Sequence, residues 1–81
     1  MDLIHAFGHA VRIAREQSGL TQQQLSEESG VHSVSLSRLE RGTSEARLLT
    51  MEALAGALGM SLSELLRRAE GLQSTQGKVQ G

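Results

Sequence analysis

Apolar residues recur along most of this chain at the three- and four-residue intervals that are typical of amphipathic α-helices. Residues 2 to 17 carry one such stripe, formed by Leu3, Phe7, Val11 and Ala14. The opposite side is polar, with Asp2, His5, His9, Arg12 and Glu16. Gly19 ends this predicted helix, and Leu20 turns back toward the core.

The same periodicity returns in the second half of the chain. A helix over roughly residues 48 to 58 is predicted by the apolar positions Met51, Leu54, Ala55 and Leu58, with Ser44 and Thr50 as alternative caps at its start. After Gly59, residues 61 to 64 have capping-box spacing and open a fifth helix. The apolar stripe of that helix is Leu62, Leu65, Leu66 and Ala69. Residues 71 to 81 are polar and rich in glycine, so we expect a folded domain over residues 1–70 and a flexible tail over 71–81.

Residues 21 to 42 contain two short helices separated by a sharp turn. Thr21 suits a helix N-cap, and Gln24 completes a capping box. Gly30 interrupts the helix after about two turns, because it can adopt the positive φ that a tight turn requires. The spacing predicts a second helix from about Ser33 to Arg41.

The second of these short helices has two different faces. Its inner face presents Leu36, Leu39 and Glu40. The remaining side chains point elsewhere, namely Ser33, Val34, Ser37, Arg38 and Arg41. Two short helices with a polar, basic outer face on the second form a helix-turn-helix that could enter a DNA major groove.

These residues resemble the phage repressor and Cro type of helix-turn-helix, also called the Xre family. The similarity extends over residues 3 to 70. The matching residues are Gly19-Leu20-Thr21-Gln22, Leu25, Gly30-Val31, Ser35 to Gly42 and Leu58-Gly59-Met60-Ser61-Leu62. The family usually has Ala where this chain has Ser26, a residue small enough for two helices to cross closely. The resemblance implies an all-α, compact five-helix domain with the helix-turn-helix at helices 2 and 3.

The resemblance also implies an ion pair. In the family, the position of Arg15 pairs with the acidic residue near the end of the recognition helix, which is Glu40 here. A partly buried bidentate pair would lock helix 1 to the helix-turn-helix. The alternative is two unrelated surface charges.

The predicted DNA contacts lie on helices 2 and 3 and just after helix 3. They are Gln22, Gln23, His32, Ser33, Val34, Ser37, Arg38, Arg41 and Thr43. Arg38 can bind guanine bidentately, and Val34 can meet a thymine methyl unless it packs against helix 2. Gln22 and Gln23 stand at a helix N-terminus, where the free N–H groups favour a phosphate.

Composition narrows the possible functions. The 81 residues leave room for one small core, and the absence of cysteine excludes disulfides and suits a reducing cytoplasm. Phe7 is the only aromatic residue, which argues against base-stacking platforms. The net charge of −1 does not by itself indicate a nucleic-acid-binding protein, although Arg38, Arg41 and Arg47 could form a local positive surface. No apolar run suggests a signal peptide or a membrane span.

Catalysis and metal binding are not expected. His5 and His9 have metal-ligand spacing with Asp2 nearby, but no third strong ligand accompanies them, so we interpret them as a solvated face. No nucleophile elbow, phosphate loop or metalloprotease motif is present. We therefore expect neither an enzyme nor a cofactor.

The sequence is best interpreted as a transcriptional regulator that binds two-fold symmetric double-stranded DNA as a homodimer. The predicted dimer interface lies on helix 5, at Leu65, Leu66 and Ala69. The small size resembles phage repressors, controller proteins of restriction–modification systems and DNA-binding antitoxins, the last of which would also bind a toxin protein. A protein-binding adaptor that uses the same fold without DNA is a further alternative.

Overall fold

The structure is a computed structural model that describes the backbone of residues 1–77 and the side chains of residues 1–73. The described residues form five α-helices. These are α1 (Leu3–Gln17), α2 (Gln22–Ser29), α3 (Ser33–Glu40), α4 (Leu48–Ala57) and α5 (Leu62–Gly77). The predicted all-α, five-helix fold is confirmed, and the predicted ends of α1 to α4 differ from the observed ends by one residue at most.

Local capping accounts for several of these boundaries. The Asp2 carboxylate caps α1 by accepting a hydrogen bond from the backbone N–H of His5 at 2.9 Å. Thr21 and Gln24 form the complete capping box of α2. At α5 only half of the predicted box forms: Ser61 accepts from the Glu64 backbone N–H at 3.1 Å. The Glu64 carboxylate instead pairs with two arginines of its own helix, Arg67 and Arg68.

The end of α5 differs from the sequence prediction. Residues 71 to 77, predicted as tail, continue the helix, and the rest of that tail lies outside the described residues. Leu72 explains the extension, because it follows Ala69 by three residues and also packs against the core. The apolar stripe therefore runs one turn beyond Ala69, to Leu72, and its partial burial stabilises a helix that the local composition disfavours.

The core lies between α1 and the other helices. α1 packs mainly against α5 and also against α3, while α2 packs against α3 and α4. The fully buried large side chains are Val11, Leu25, Leu36, Leu54 and Leu65. Leu3 departs from the prediction, since it is 43% exposed at the edge of this core. It lies in the first turn of α1, where it lines an open groove instead of the interior.

α1 and α3 approach each other closely at Gly8. A Cβ at this position would overlap the backbone carbonyl oxygen of Leu39. The missing side chain therefore allows the two backbones to touch near the end of α3. This contact fixes how far α3 sits from the core, and hence the position of its outer face.

Among the described residues, no single helix is long and apolar enough to cross a membrane. By length and composition alone, α4 and the Leu62–Gln73 part of α5 meet that test as a pair, but they are bent by 99°.

Candidate nucleic-acid interface

The turn between α2 and α3 is held by its own short-range bonds. Gly30 has a φ of 78° and donates its N–H to the Ser26 carbonyl at 2.9 Å. The Ser26 hydroxyl donates to the carbonyl of Val31, and Ser29 accepts from the Val31 N–H at 3.1 Å. Ser26 thus uses its hydroxyl to close the turn, a bond that alanine could not make. The partly buried Val31 packs against the core and fixes the angle between the two helices.

α3 has the two faces that its sequence predicts. Leu36, Leu39 and Glu40 are buried and hold its inner face to the domain. Val34 is 56% exposed, so more than half of its surface is open to a ligand. His32 and Arg38 are exposed as well, and Ser33 and Ser37 are half-buried. The first turns of α3 therefore offer an apolar group, hydroxyls and a cation to a ligand.

Arg38 and Arg41 differ in the hydrogen bonds that their guanidinium groups make within the chain. Within the described part of the chain, the Arg38 guanidinium has neither a hydrogen bond nor an ion-pair partner. Arg41 donates to the Ser37 hydroxyl at 2.8 Å. The Thr43 hydroxyl donates to the Arg38 carbonyl at 3.1 Å and closes the end of α3. Of these two arginines of α3 and its cap, Arg38 is thus the more available to an external acceptor.

An ion-pair network joins α3 to α1. Arg15 donates to Glu40 through Nε at 2.8 Å and through Nη2 at 3.0 Å, a bidentate arrangement. Its Nη1 donates to the Leu20 carbonyl at 2.8 Å. The side chains of Arg15 and Glu40 are only 12% and 3% exposed. The hydrogen bonds with Glu40 raise the pKa of Arg15, so this guanidinium stays charged at any physiological pH.

The two glutamines at the start of α2 already make internal bonds. Gln22 donates its side-chain amide to Glu40 Oε1 at 3.0 Å and so joins the buried network. Gln23 donates to Glu27 Oε2 at 3.1 Å. Each amide nitrogen retains a second N–H. Their backbone N–H groups stand in the first turn of α2, which lacks carbonyl partners within the helix. No local pattern in the sequence indicates the link between Gln22 and Glu40, because the two residues are 18 positions apart.

Four of the predicted DNA contacts line two open grooves around α3. Gln23, His32 and Ser33 line one open groove at the start of α3. Arg38 lines a second groove with Glu45 and Arg47 from the loop that follows α3. We call the residues of α3 and of the two flanking loops, from Gly30 to Arg47, that are not buried in the core the recognition surface.

Two of the three predicted interface residues on α5 are wrong. Leu65 and Ala69 are 0% exposed in the core of one chain, so neither has surface with which to contact a second copy. Leu66 is only partly buried and lines an open groove. The sequence pattern could not separate the three, since all of them lie on one wide apolar stripe.

His5, at the start of α1, makes local contacts. His5 binds Asp2 through Nδ1 at 2.8 Å, and its ring lies against Gly42, directly after α3. The described residues contain no group of three or more histidine, aspartate and glutamate side chains that could hold a metal ion.

Comparison with known proteins places this geometry in a family. The sequence profile of the helix-turn-helix family matches residues 11–65. The control protein C.SmaI of Serratia marcescens is 38% identical over 77 residues, which cover 95% of this chain and 90% of that protein. The crystal structure of the clp gene regulator ClgR from Corynebacterium glutamicum superposes with a TM-score of 0.86 and 35% identity, covering 98% of this chain and 87% of that one.

A second solved structure has the same fold. It is the restriction-modification controller protein C.AhdI from Aeromonas hydrophila, with a TM-score of 0.74 and 32% identity over 76% of this chain and 94% of that one. The profile match and the extent of these similarities agree with the turn, the capping and the two-faced α3 described above. The chain therefore belongs to the Xre-like helix-turn-helix family of transcriptional regulators with a DNA-binding domain.

Proposed function

We propose that this protein is a sequence-specific regulator that inserts α3 into the major groove of double-stranded DNA. The observation that carries the proposal is the division of α3 into two faces. Leu36, Leu39 and Glu40 occupy its inner face, while Val34 and the unpaired Arg38 face outward. The similarity to regulators and controller proteins of comparable length supports the same assignment.

Base recognition would rest on few side chains. Arg38 can donate two hydrogen bonds to O6 and N7 of guanine, the commonest specific contact in the major groove. Val34 is an exposed aliphatic side chain on the outer face of α3, so it can pack against a thymine methyl. His32, Ser33 and Ser37 can bond to base edges or phosphates, but each discriminates weakly by itself.

Phosphate contacts would position the helix on both sides of the groove. Arg41 and Thr43 follow α3, and the first turn of α2 offers the N–H groups of Gln22 and Gln23. Because Gln22 also binds Glu40, a phosphate at this turn would connect to the buried ion pair. With few cations and a net charge of −1, the affinity should fall less steeply with salt than that of strongly basic domains.

A dimer would supply the specificity that one chain lacks. A single α3 of eight residues reaches only a few base pairs, whereas a two-fold pair doubles the contacts. In such a dimer the two α3 helices would lie about 34 Å apart, in successive major grooves on one side of the duplex.

The test begins with a duplex selected from random DNA by the wild-type protein, followed by footprinting. On that duplex, Arg38→Ala should weaken specific binding by about 1–3 kcal/mol and relax the preference at one base pair per half-site. The matched control is Arg12→Ala, which removes an exposed arginine of α1 that pairs with Glu16. This variant should retain the specific affinity and the base-pair preference of the wild type. If Arg38→Ala folds as the wild type does and binds the selected duplex unchanged, the proposed docking is wrong.

A further inference from the structure

An open apolar groove lies beside the recognition surface, between α1, α4 and α5. Its floor is formed by Leu3, Ile4, Phe7, Met51 and Leu66, and Glu45 stands on its rim. The space measures about 250 Å³, large enough for an aliphatic side chain and more. Leu3 and Ile4 remain exposed there, so the residues that the structure describes leave this apolar surface open.

Leu48 shares a face of α4 with Met51, a residue that lines this groove. It is 63% exposed at the first position of α4, three residues before Met51, and residues three apart lie on the same face of a helix. Leu49 is even more exposed, at 73%, but it faces the other side of α4, where it lines a groove with His32. A protruding leucine therefore adjoins an apolar groove that has room for one.

The charged residues beside the groove and beside Leu48 have opposite signs. Glu45 and Arg47 are exposed, and across the residues that the structure describes neither has an ion-pair partner. Glu45 lies at the rim of the apolar groove, and Arg47 directly precedes Leu48. A segment that places an arginine beside a leucine would match both the floor and the rim, and this chain carries such a segment itself.

We infer that the groove binds Leu48 of a second copy of the chain, with Arg47 of that copy against Glu45. The inference rests on the proposed function, since it names the surface through which the proposed dimer forms. In a two-fold interface every contact occurs twice, once in each direction. A leucine and a groove on the same chain therefore allow each copy to place its leucine in the groove of the other. An apolar floor with a charged rim is also the usual anatomy of such an interface.

This location suits the proposed docking on DNA. The rim residue Glu45 belongs to the loop that directly follows α3, so the two-fold axis would pass close to both recognition surfaces. The partly buried Leu66 would form part of the floor, and the fully buried Leu65 and Ala69 would support it from behind without touching the second copy.

Sedimentation of the whole protein at micromolar concentrations tests the apolar contact. The wild type should sediment as a dimer. Leu48→Glu should raise the dimer dissociation constant by about a hundredfold, because it forces a carboxylate against an apolar floor. Since the native side chain is mostly exposed, circular dichroism should be unchanged. Leu49→Glu is the matched control on the same helix turn and should remain dimeric. A monomeric wild type, or a Leu48→Glu variant that stays dimeric, would overturn the inference.

Charge reversal tests the reciprocal pairing. Glu45→Arg and Arg47→Glu should each weaken their own homodimer several-fold, because like charges then meet at both ends of the interface. An equimolar mixture of these two variants should recover wild-type dimerisation, since every cross-chain pair in the mixed dimer is again of opposite sign. Failure of the mixture to recover would reject the pairing of Arg47 with Glu45.

Binding to DNA separates failure of this inference from failure of the proposed function. The probes are the selected full site and a duplex that carries one half of it. If the interface is correct, Leu48→Glu should retain half-site affinity and lose most of its advantage on the full site. A wild type that binds the selected site as a monomer would overturn the interface and leave the DNA-binding proposal intact. A dimeric wild type that selects no DNA sequence would overturn the DNA-binding proposal and leave the interface intact.

Discussion

The buried ion pair between Arg15 and Glu40 should contribute far more to stability than a surface pair of the same chemistry. Each variant Arg15→Leu and Glu40→Leu leaves one charge without its partner in the interior. Removing one partner of a buried pair costs about 3–5 kcal/mol. A chain of 81 residues has a total free energy of unfolding of roughly 4–12 kcal/mol, so either variant should lose at least about a quarter of that stability.

The two single variants should not be equal. The Glu40 side chain is 3% exposed and that of Arg15 is 12% exposed, and Arg15 keeps its bond to the Leu20 carbonyl when Glu40 is lost. In Arg15→Leu, Glu40 keeps one neutral donor, the amide of Gln22. We therefore expect Arg15→Leu to be the more destabilising change.

The assay is a double-mutant cycle measured by urea unfolding at neutral pH. Charges about 4 Å apart at an effective dielectric of about 20 attract by about 4 kcal/mol, which sets the scale of the expected interaction energy. The control cycle uses Arg12 and Glu16, which lie 3.2 Å apart on α1 and are 56% and 54% exposed. It should give about 0.2–1 kcal/mol. An interaction energy for the buried pair no larger than that of the control would refute the reasoning.

Three further predictions concern the scaffold. Gly8→Ala should destabilise the fold by about 1–3 kcal/mol or more, because its Cβ would overlap the backbone of α3. Gly56→Ala lies on an open helix face and should stabilise the fold by about 0.5–1 kcal/mol. Thermal unfolding of the two variants compares them directly. Thr21→Ala should cost about 0.5–2 kcal/mol by removing the α2 cap, and a variant of unchanged urea midpoint would contradict this. The backbone N–H of His5, and then its ring, hold the pKa of Asp2 below its usual value. The stability that the Asp2 carboxylate contributes is therefore present above the pKa of the unfolded chain and is lost as the pH falls through the lower pKa of the folded chain. Asp2→Ala should therefore show a shallower loss of thermal stability below about pH 4 than the wild type does.

Much of the fold could be predicted from the sequence because its signals are local. Thr21 and Gln24 define a capping box within four residues, and Gly30 supplies a positive φ that other residues rarely adopt. The apolar periodicity then assigned Leu36 and Leu39 to the inner face of α3. By the same reasoning the positions of Arg38 and Val34 on its other side followed from the helical period alone.

Other features depended on which surfaces the folded chain covers. Periodicity placed Leu65, Leu66 and Ala69 on one stripe, but packing of α1 against α5 decided that two of them are buried completely. The extension of α5 past Gly71 likewise depended on the contact of Leu72 with the core, which no local rule contains.

The sequence by itself determined the helices, their caps and the two faces of α3, since these depend on residues within one or two turns of one another. The tertiary structure alone decided the contacts between distant residues. Only the family resemblance implied the pair of Arg15 and Glu40, which are 25 positions apart, and only the fold brought Gln22 into the same network. The exposure of Val34 and of Leu48 was decided in the same way. Burial depends on how neighbouring helices pack, and the packing is set by the whole chain rather than by any one segment.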